Sequence, residues 1–377
     1  MTPDRQEIIN TMALTRARYL NLTSLHDLYT TAGTATTVME QARDIRAILP
    51  EASDRLVKAF QQAGEWRHWA EMEYEICTER GYKVLTPSDD RFPLRLKNCP
   101  DAPLVLYYKG SANLNQSKII CMVGTRRSTL YGNELAERFV KDLRLICPQV
   151  LIVSGLAYGI DICAHRAALQ NGYETLGVLA HGLDNLYPSM HRYTADEMVK
   201  NGGLLTEFPT HTNADKLNFV RRNRIVAGLS DACIVVESAA HGGALITASL
   251  ARSYNRDVFA FPGNVGAEYS AGCNNLVRDN MAGLITSASD FAKAMGWAND
   301  MVLAEAQRKG IERELFPELS DEEQKLVNLL RDRGDLQINV LTVMSNMPVN
   351  KVNALLFQLE MKGVVKSLAG GNYHLLN

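Results

Sequence analysis

The sequence predicts an α/β protein built on a Rossmann-like, doubly wound and mostly parallel sheet. Short apolar runs alternate with helical stretches from residue 118 to residue 286. Each run is mostly apolar, which is typical of strands buried on both faces of a sheet. Helical patterns before and after this region add an N-terminal helical domain and a C-terminal winged-helix domain.

The composition is that of a globular protein without an overall basic field. The chain has 377 residues, of which 46% are hydrophobic and 22% charged, and its formal net charge is −2. This length predicts two or three domains. Because the net charge is small, any binding of nucleic acid must depend on a local basic patch.

The cysteines and the hydropathy pattern predict a cytoplasmic protein. The seven cysteines are scattered and include no CxxC pair, as expected of free thiols in a reducing compartment. The N-terminal segment alternates charged and apolar residues and lacks the apolar core of a signal peptide. No apolar run is long enough to span a bilayer, so no membrane span is expected.

Residues 1–82 are predicted to form a helical domain. Segments rich in Ala, Leu, Glu, Gln and Arg predict helices at 11–19, 24–31, 36–48 and 53–80, the last of them either continuous or divided near Gly64. We interpret the region as a small bundle that docks on the next domain. A DNA-binding helix-hairpin-helix would need a glycine in its hairpin, and residues 17–24 contain none.

The central domain, residues 83–300, starts with a proline-rich lead-in at 83–117 and continues with a repeated strand–turn–helix pattern. The lead-in has two strand-like pieces, at 83–85 and 104–108. Later strands are predicted at 118–123, 150–153, 175–180, 203–206, 231–236, 257–261 and 283–286. Helices between them are predicted at 134–146, 160–170, 192–200 and 244–254. Ligands of such sheets bind beyond the carboxyl ends of the strands, so we expect the binding site there.

Glycine-rich turns follow several of these strands. Three turns supply candidate binding residues: Gly124, Thr125, Arg126, Arg127, Ser154, Gly155, Gly242 and Gly243. Glycines allow the backbone to approach a ligand closely, and the N-termini of the following helices present N–H groups to an anion. Of the two arginines, we expect one to be functional and one structural, with a helix starting near Leu130.

The strongest candidate site is a cationic and aromatic cluster at the start of a predicted helix. Its members are Lys216, Phe219, Arg221, Arg222, Asn223 and Arg224. Lysine and arginine bind phosphates and phenylalanine stacks on bases, a combination that suits single-stranded nucleic acid. The arginines cannot all enter the core, since an unpaired buried guanidinium is costly, so a basic rim is expected. Positive charge at a helix N-terminus is also unfavourable unless an anion binds there.

No catalytic residue, metal site or cofactor is predicted. The chain has no HExxH motif, and neither a metal-ligand set nor a Ser/Cys–His–Asp trio is indicated. Asp161 is interpreted as the N-cap of the helix at 160–170. His165, one turn later, is interpreted as a structural histidine.

The C-terminal part consists of a charged linker, residues 301–319, and a winged-helix domain, residues 320–377. Helices are predicted at 321–333, 337–346 and 349–362, and strands at 364–368 and 372–376 around Gly370-Gly371. Three helices and a two-stranded wing are typical of the winged-helix fold. The third helix has lysines only at its ends, Lys351 and Lys362, so both a protein-interaction role and DNA binding stay open.

Five motifs resemble those of the DNA-processing protein A (DprA/Smf) family. In order, they are VGTRRS, SGLAYGID, FVRRNRIVAGLSDA, ESAAHGGALITA and VFAFPG. The resemblance implies a non-enzymatic homodimer, with a SAM-like helical domain, that binds single-stranded DNA and loads the RecA recombinase during natural transformation. It also implies DNA contacts by Arg126 or Arg127, the Ser154–Gly155 turn, Lys216, Phe219, Arg222, Asn223 and Arg224.

The chain departs from the family where relatives usually carry Ser-Gly before LITA. Here the residues are Gly242-Gly243, which removes a hydroxyl group. The alternative function is that of a Rossmann-like nucleotide hydrolase similar to the cytokinin-activating phosphoribohydrolases. Those enzymes use a glutamate in a PGGxGTxxE turn, and residues 242–248 contain no carboxylate. For the DNA-binding function, charge reversal at Lys216 or Arg222 is expected to abolish binding and leave the fold intact.

Overall fold

A nine-stranded sheet forms the centre of the molecule's larger unit and confirms the predicted α/β class. In the described part of the chain its strands are β1 (Lys83–Leu85), β2 (Leu106–Gly110), β3 (Ile119–Val123), β4 (Leu151–Ser154), β5 (Thr175–Val178), β6 (Gly202–Thr206), β7 (Ala232–Val235), β8 (Asp257–Ala260) and β9 (Gly283–Leu284). Their order across the sheet is β1-β2-β6-β5-β4-β3-β7-β8-β9. Strands β3 to β9 are parallel to one another, and β1 and β2 form an antiparallel edge.

The chain divides into two units, residues 1–303 and 304–377. The computed structural model describes residues 4–298, 302, 305, 319–368 and 371–376. Most of the predicted linker 301–319 and Gly370 of the predicted wing therefore lie outside the described residues. Within the described ranges, no helix combines the length and apolarity needed to cross a membrane.

The N-terminal region is helical, but its helices differ in position from those predicted. They are α1 (Arg5–Leu14), α2 (Leu22–Ala32), α3 (Ala35–Glu40), α4 (Asp54–Phe60) and α5 (Ala63–Glu79). The first predicted helix, 11–19, is wrong because the chain leaves the helix after Leu14 and Tyr19 has a left-handed backbone (φ 72°). The segment 36–48 is α3 followed by a 3-10 turn, and 53–80 is divided before Gly64 into α4 and α5.

These helices pack on the antiparallel edge of the sheet. The apolar core of the helices continues into Leu104, Val105 and Tyr107 beside β2. Glu73 of α5 is buried and accepts hydrogen bonds from Thr210, with distances of 2.7 Å to both the backbone nitrogen and the hydroxyl oxygen. The helical region is thus tied to the loop that follows β6.

The crossover helices create a switch point in the middle of the sheet. The helices of this region are α6 (Leu94–Lys97), α7 (Leu130–Ile146), α8 (Ile160–Gln170), α9 (Arg192–Lys200), α10 (Lys216–Leu229), α11 (Gly243–Ser253), α12 (Ala271–Arg278) and α13 (Ala288–Ala294). Helices α7 to α12 are the crossovers between parallel strands, whereas α6 joins β1 to β2 and α13 follows β9. The chain builds β3 to β6 in one direction, and α10 then leads back to β7 beside β3. Such a reversal leaves a crevice at the carboxyl ends of the two strands.

The second unit has the predicted winged-helix fold. Its elements are α14 (Asp321–Arg333), β10 (Leu336–Gln337), α15 (Ile338–Ser345), α16 (Val349–Met361), β11 (Val365–Leu368) and β12 (Asn372–Leu375). A capping box formed by Ser320 and Glu323 explains where α14 begins. The third strand of the small sheet, β10, was not predicted, because two residues are too few to show a period.

We expect Glu73→Ala to lower the free energy of unfolding by about 2–3 kcal/mol, because two donors of Thr210 lose a charged acceptor. Urea unfolding followed by circular dichroism measures the change. Glu71→Ala, on the same helix, is the matched control. Glu71 forms only a half-exposed ion pair with Arg67, so its loss should change stability by less than about 0.5 kcal/mol. Equal stability of the two variants would contradict the docking contact.

Candidate nucleic-acid interface

A cavity of about 610 Å³ lies at the carboxyl ends of β3, β4 and β7, and we call it the switch-point groove. Its walls are the turns after β3 and β4, the first turns of α10 and the N-terminus of α11. Ten of the fourteen predicted residues line it: Gly124, Thr125, Arg126, Gly155, Lys216, Phe219, Arg222, Asn223, Gly242 and Gly243. The turns therefore gather at one edge of the sheet, as the parallel topology requires.

Glu237 holds the turn after β3 in place. Its buried carboxylate accepts hydrogen bonds from the backbone nitrogen of Thr129 (2.9 Å) and from the Thr129 hydroxyl (2.5 Å). Its backbone carbonyl accepts another from Thr125 N–H (2.8 Å). Thr129 in turn caps α7, which starts at Leu130 as predicted. Both ends of the turn are fixed, and the two arginines between them project into solvent.

Only the first of these arginines belongs to the groove. Arg126 is exposed, and its guanidinium carbon lies 4.8 Å from the ring centroid of Phe219, a cation–π contact. Arg127 is also exposed but lies outside the groove, where its backbone N–H donates to the Thr125 hydroxyl at 3.1 Å. Of the two arginines, Arg126 is therefore the one that lies in the groove.

Arg222 lies beneath the groove rather than on its rim. Its side chain is buried, with the residue only 3% exposed, and it donates to the carbonyls of Gly155 (2.6 Å) and Val178. A Cβ atom on residue 155 would lie 2.3 Å from the guanidinium, so glycine is needed at this position. Burial lowers the pKa of Arg222 to about 10, although the negative charge of Asp161 opposes the shift. The guanidinium remains charged at neutral pH.

Arg221 and Arg224 are not brought into the groove, contrary to the predicted basic rim. Both pair with the carboxylate of Glu207, at 3.1 Å for Arg221 and 2.5 Å for Arg224. Arg224 is buried and also donates to the carbonyl of Asp101. A buried guanidinium is tolerated here because it is paired, and the spacing of three residues places both arginines on the helix face away from the groove.

Two predictions for the turn after β4 also need correction. Ser154 is fully buried and donates to the carbonyl of Met122 (2.6 Å), so its hydroxyl does not reach the groove. The N-cap of α8 is Gly159, and Asp161 lies inside the first turn of that helix. There Asp161 accepts a hydrogen bond from Gly155 N–H (3.1 Å) and stabilises the turn. Burial raises the pKa of Asp161, and the positive charge of Arg222 opposes that shift.

His165 has the structural role that the sequence indicated. It is fully buried, and its Nδ1 lies 2.7 Å from the hydroxyl oxygen of Thr175. Burial lowers the pKa of His165 to about 3, so the ring is neutral at physiological pH. Across the part of the chain that the structure describes, no three His, Cys, Asp or Glu side chains are grouped to hold a metal ion.

Several residues of the groove were not predicted from the sequence, above all Tyr187 and His241. His241 precedes the predicted Gly242-Gly243 pair, and Asp215 caps α10 by accepting from Asn218 N–H (2.9 Å). Tyr187 comes from the loop after β5, where no periodicity points to it. The adjacent glycines could have indicated His241, but nothing local to Tyr187 indicated that residue.

A Rossmann-like sheet with a cationic and aromatic groove at its switch point, together with a winged helix, is an architecture suited to a protein that processes DNA. The chain belongs to the DNA recombination-mediator protein A family. Residues 83–296 match that family, and residues 314–371 match the DprA winged helix domain. The family predicted from the five motifs is therefore confirmed.

Individual relatives cover most of the chain. A putative DNA processing protein DprA from Mycobacterium tuberculosis is 34% identical over 311 residues, covering 79% of this chain and 78% of the relative. Protein Smf of Escherichia coli is 33% identical over 305 residues, covering 80% of each. The crystal structure of DNA processing protein A from Streptococcus pneumoniae has a TM-score of 0.66 at 30% identity, covering 78% of this chain and 98% of its own.

The Glu207–Arg224 pair gives a prediction that separates stability from binding. Arg224→Met should lower the free energy of unfolding by about 3 kcal/mol, since it removes the closer partner of a buried carboxylate. Affinity for DNA should stay unchanged in the folded variant, because Arg224 faces away from the groove. Denaturant unfolding and fluorescence anisotropy measure the two quantities. Arg252→Met, at an exposed arginine of α11, is the control and should affect neither. A stable Arg224→Met variant with weakened DNA binding would instead show that Arg224 contacts DNA.

Proposed function

We propose that this protein is a recombination mediator that binds single-stranded DNA without breaking bonds in it. In the cytoplasm it would protect incoming strands and load RecA on them during natural transformation. The proposal depends on one observation: cations, the Phe219 ring and three glycine-containing turns all line the switch-point groove. Family membership supports the recombination role.

Phosphate binding is assigned to the exposed cations of the groove. Lys216 is the first residue of α10, and Arg126 faces it from the turn after β3. The backbone N–H groups at the start of α11 lie at Gly242 and Gly243, which leave them accessible. Arg222 adds a fixed positive charge from below. Together these groups provide an attraction for the backbone that does not depend on base sequence.

Base binding is assigned to Phe219 and Asn223. The Phe219 ring is half-buried and lines the groove, and the Asn223 amide lies beside it on α10. An aromatic ring stacks on bases only when their faces are free, which favours single strands over duplex. A structure of the DNA processing protein A of Helicobacter pylori concerns the single-stranded DNA binding mode of that protein, which supports single strands as the ligand proposed here. That structure has a TM-score of 0.51 at 28% identity and covers 57% of this chain and 95% of its own.

We further propose that the protein acts as a homodimer. A groove of about 610 Å³ has room for only a short piece of a strand. Two grooves on neighbouring subunits would lengthen the path, and binding at the second would be favoured by its high effective concentration. The same arrangement would leave a continuous stretch of DNA on which RecA can assemble.

The winged helix is proposed to contact a protein rather than DNA. Lys351 of the third helix, α16, and Lys362 directly after it are both engaged within the unit. Lys351 pairs with Glu322, and Lys362 pairs with Glu323 (2.8 Å). Phosphate binding by either lysine would have to compete with these ion pairs. The third helix also exposes apolar side chains, Phe357 and Met361 among them.

Lys216→Glu is expected to reduce affinity for single-stranded DNA by at least an order of magnitude, since a phosphate contact becomes a repulsion. Without that contact, the slope of log affinity against log salt concentration should fall by about 0.7. Anisotropy titrations of a labelled oligothymidine in a salt series measure both. The fold should remain intact, because Lys216 is exposed. The corresponding expectation for Arg222 is revised, since reversal there would bury an acid and destabilise the protein.

Lys200→Glu is the matched control for this experiment. Lys200 is an exposed lysine that pairs with Glu197. It lies at the amino end of β6, whereas the groove lies at the carboxyl ends of the parallel strands. Its reversal should leave both affinity and salt slope unchanged. Normal binding by the Lys216 variant at physiological salt would refute the assignment of the groove.

A truncated chain ending at residue 298 tests the role of the winged helix. The first unit retains the whole groove, so affinity for single strands should be preserved. Loading of RecA, measured as strand exchange on DNA coated with single-strand-binding protein, should decrease. Loss of DNA affinity together with loading would instead show that the winged helix binds DNA.

A further inference from the structure

Tyr187 is an aromatic residue of the groove that has no part in the function proposed above. Its ring is 45% exposed and lies 5.8 Å from the Phe219 ring, centroid to centroid, at an interplanar angle of 58°. Within the described part of the chain, its hydroxyl group has no hydrogen-bond partner. A half-exposed tyrosine presents an apolar ring and a polar tip together, a combination that is enriched at binding surfaces.

The ring of Tyr187 is more accessible than that of Phe219. Two cations lie over Phe219, with the guanidinium carbon of Arg126 at 4.8 Å and that of Arg222 at 6.0 Å from the ring centroid. Among the described side chains, no cation lies over Tyr187. A base that stacks on Phe219 must share the ring with these guanidinium groups, whereas Tyr187 offers an aromatic face that is not engaged in this way.

The backbone at Tyr187 is anchored before any ligand binds. Its N–H donates to Nε2 of His181 (3.1 Å), and Nδ1 of that buried ring lies 2.9 Å from the carbonyl of Gly182. Gly182 is itself enclosed, since a Cβ there would lie 2.6 Å from the carbonyl oxygen of Pro209. The backbone that carries the Tyr187 ring is thus already constrained, so less conformational entropy is lost when a ligand binds.

We propose that Tyr187 stacks on a base of the bound strand, next to the base that contacts Phe219, and so contributes to discrimination between single strands and duplex. The inference rests on the proposed function of the groove. In a duplex both faces of a base are covered by its neighbours, so Tyr187 would find no partner there. In a single strand the tilt between the two rings suits two successive bases that are no longer parallel to each other.

The test is Tyr187→Leu, assayed with oligothymidine that carries one 2-aminopurine. Single-strand affinity should fall on the order of ten-fold, as for loss of one stacking contact. The quenching of 2-aminopurine fluorescence on binding should weaken. The salt slope should not change, since no phosphate contact is lost. Affinity for a duplex of the same length should also stay as it is. Tyr187→Phe, which keeps the ring, should behave like the unaltered protein in all four measurements.

Tyr193→Leu is the matched control, because Tyr193 is 79% exposed on α9 and lies outside the groove. Its variant should retain affinity and quenching. Suppose the unaltered protein binds single strands and Lys216→Glu does not, but Tyr187→Leu keeps both affinity and quenching. The role of Tyr187 would then be overturned while the proposed function stands. Failure of the unaltered protein to bind single strands would overturn both.

Discussion

The buried guanidinium of Arg222 is the contact on which the groove depends. It joins α10 to the carboxyl ends of β4 and β5 through the carbonyls of Gly155 and Val178. These two hydrogen bonds fix the start of α10 against the turns, and with it the positions of Lys216 and Phe219. The bonds compensate for desolvation of the charge, and Asp161 provides further stabilisation. The groove is therefore built around the Arg222 guanidinium, whose positive charge is balanced only in part by Asp161.

Helix α10 separates two electrostatic environments that the sequence alone does not distinguish. One face carries Arg221 and Arg224, whose charge is balanced by the buried Glu207. The other carries Lys216 and Arg222, which face the groove or lie directly beneath it. The arginine-rich stretch thus has two purposes. Arg221 and Arg224 attach the helix to the body of the unit through Glu207. Lys216 and Arg222 supply the positive potential of the groove.

The sequence predicted the fold well because buried parallel strands are mostly apolar. All seven predicted strands from β3 to β9 are present, although the edge strand β9 is exposed. It predicted that most of the candidate residues would lie together, because the topology forces the turns to the carboxyl ends of the strands. It could not separate Arg222 from Arg224, since Glu207 lies on a different element and reaches only the latter. Tyr187 was missed because an irregular loop has no period, and its position depends on the distant His181 contact.

The carboxylates near the groove have a structural role, since they accept hydrogen bonds from the turns around it. Both carboxylate oxygens of Glu237 accept hydrogen bonds from Thr129, and Asp161 accepts one from Gly155 N–H. These hydrogen bonds hold the two turns that shape the groove. Removing either carboxylate would take away hydrogen bonds that hold a wall of the groove.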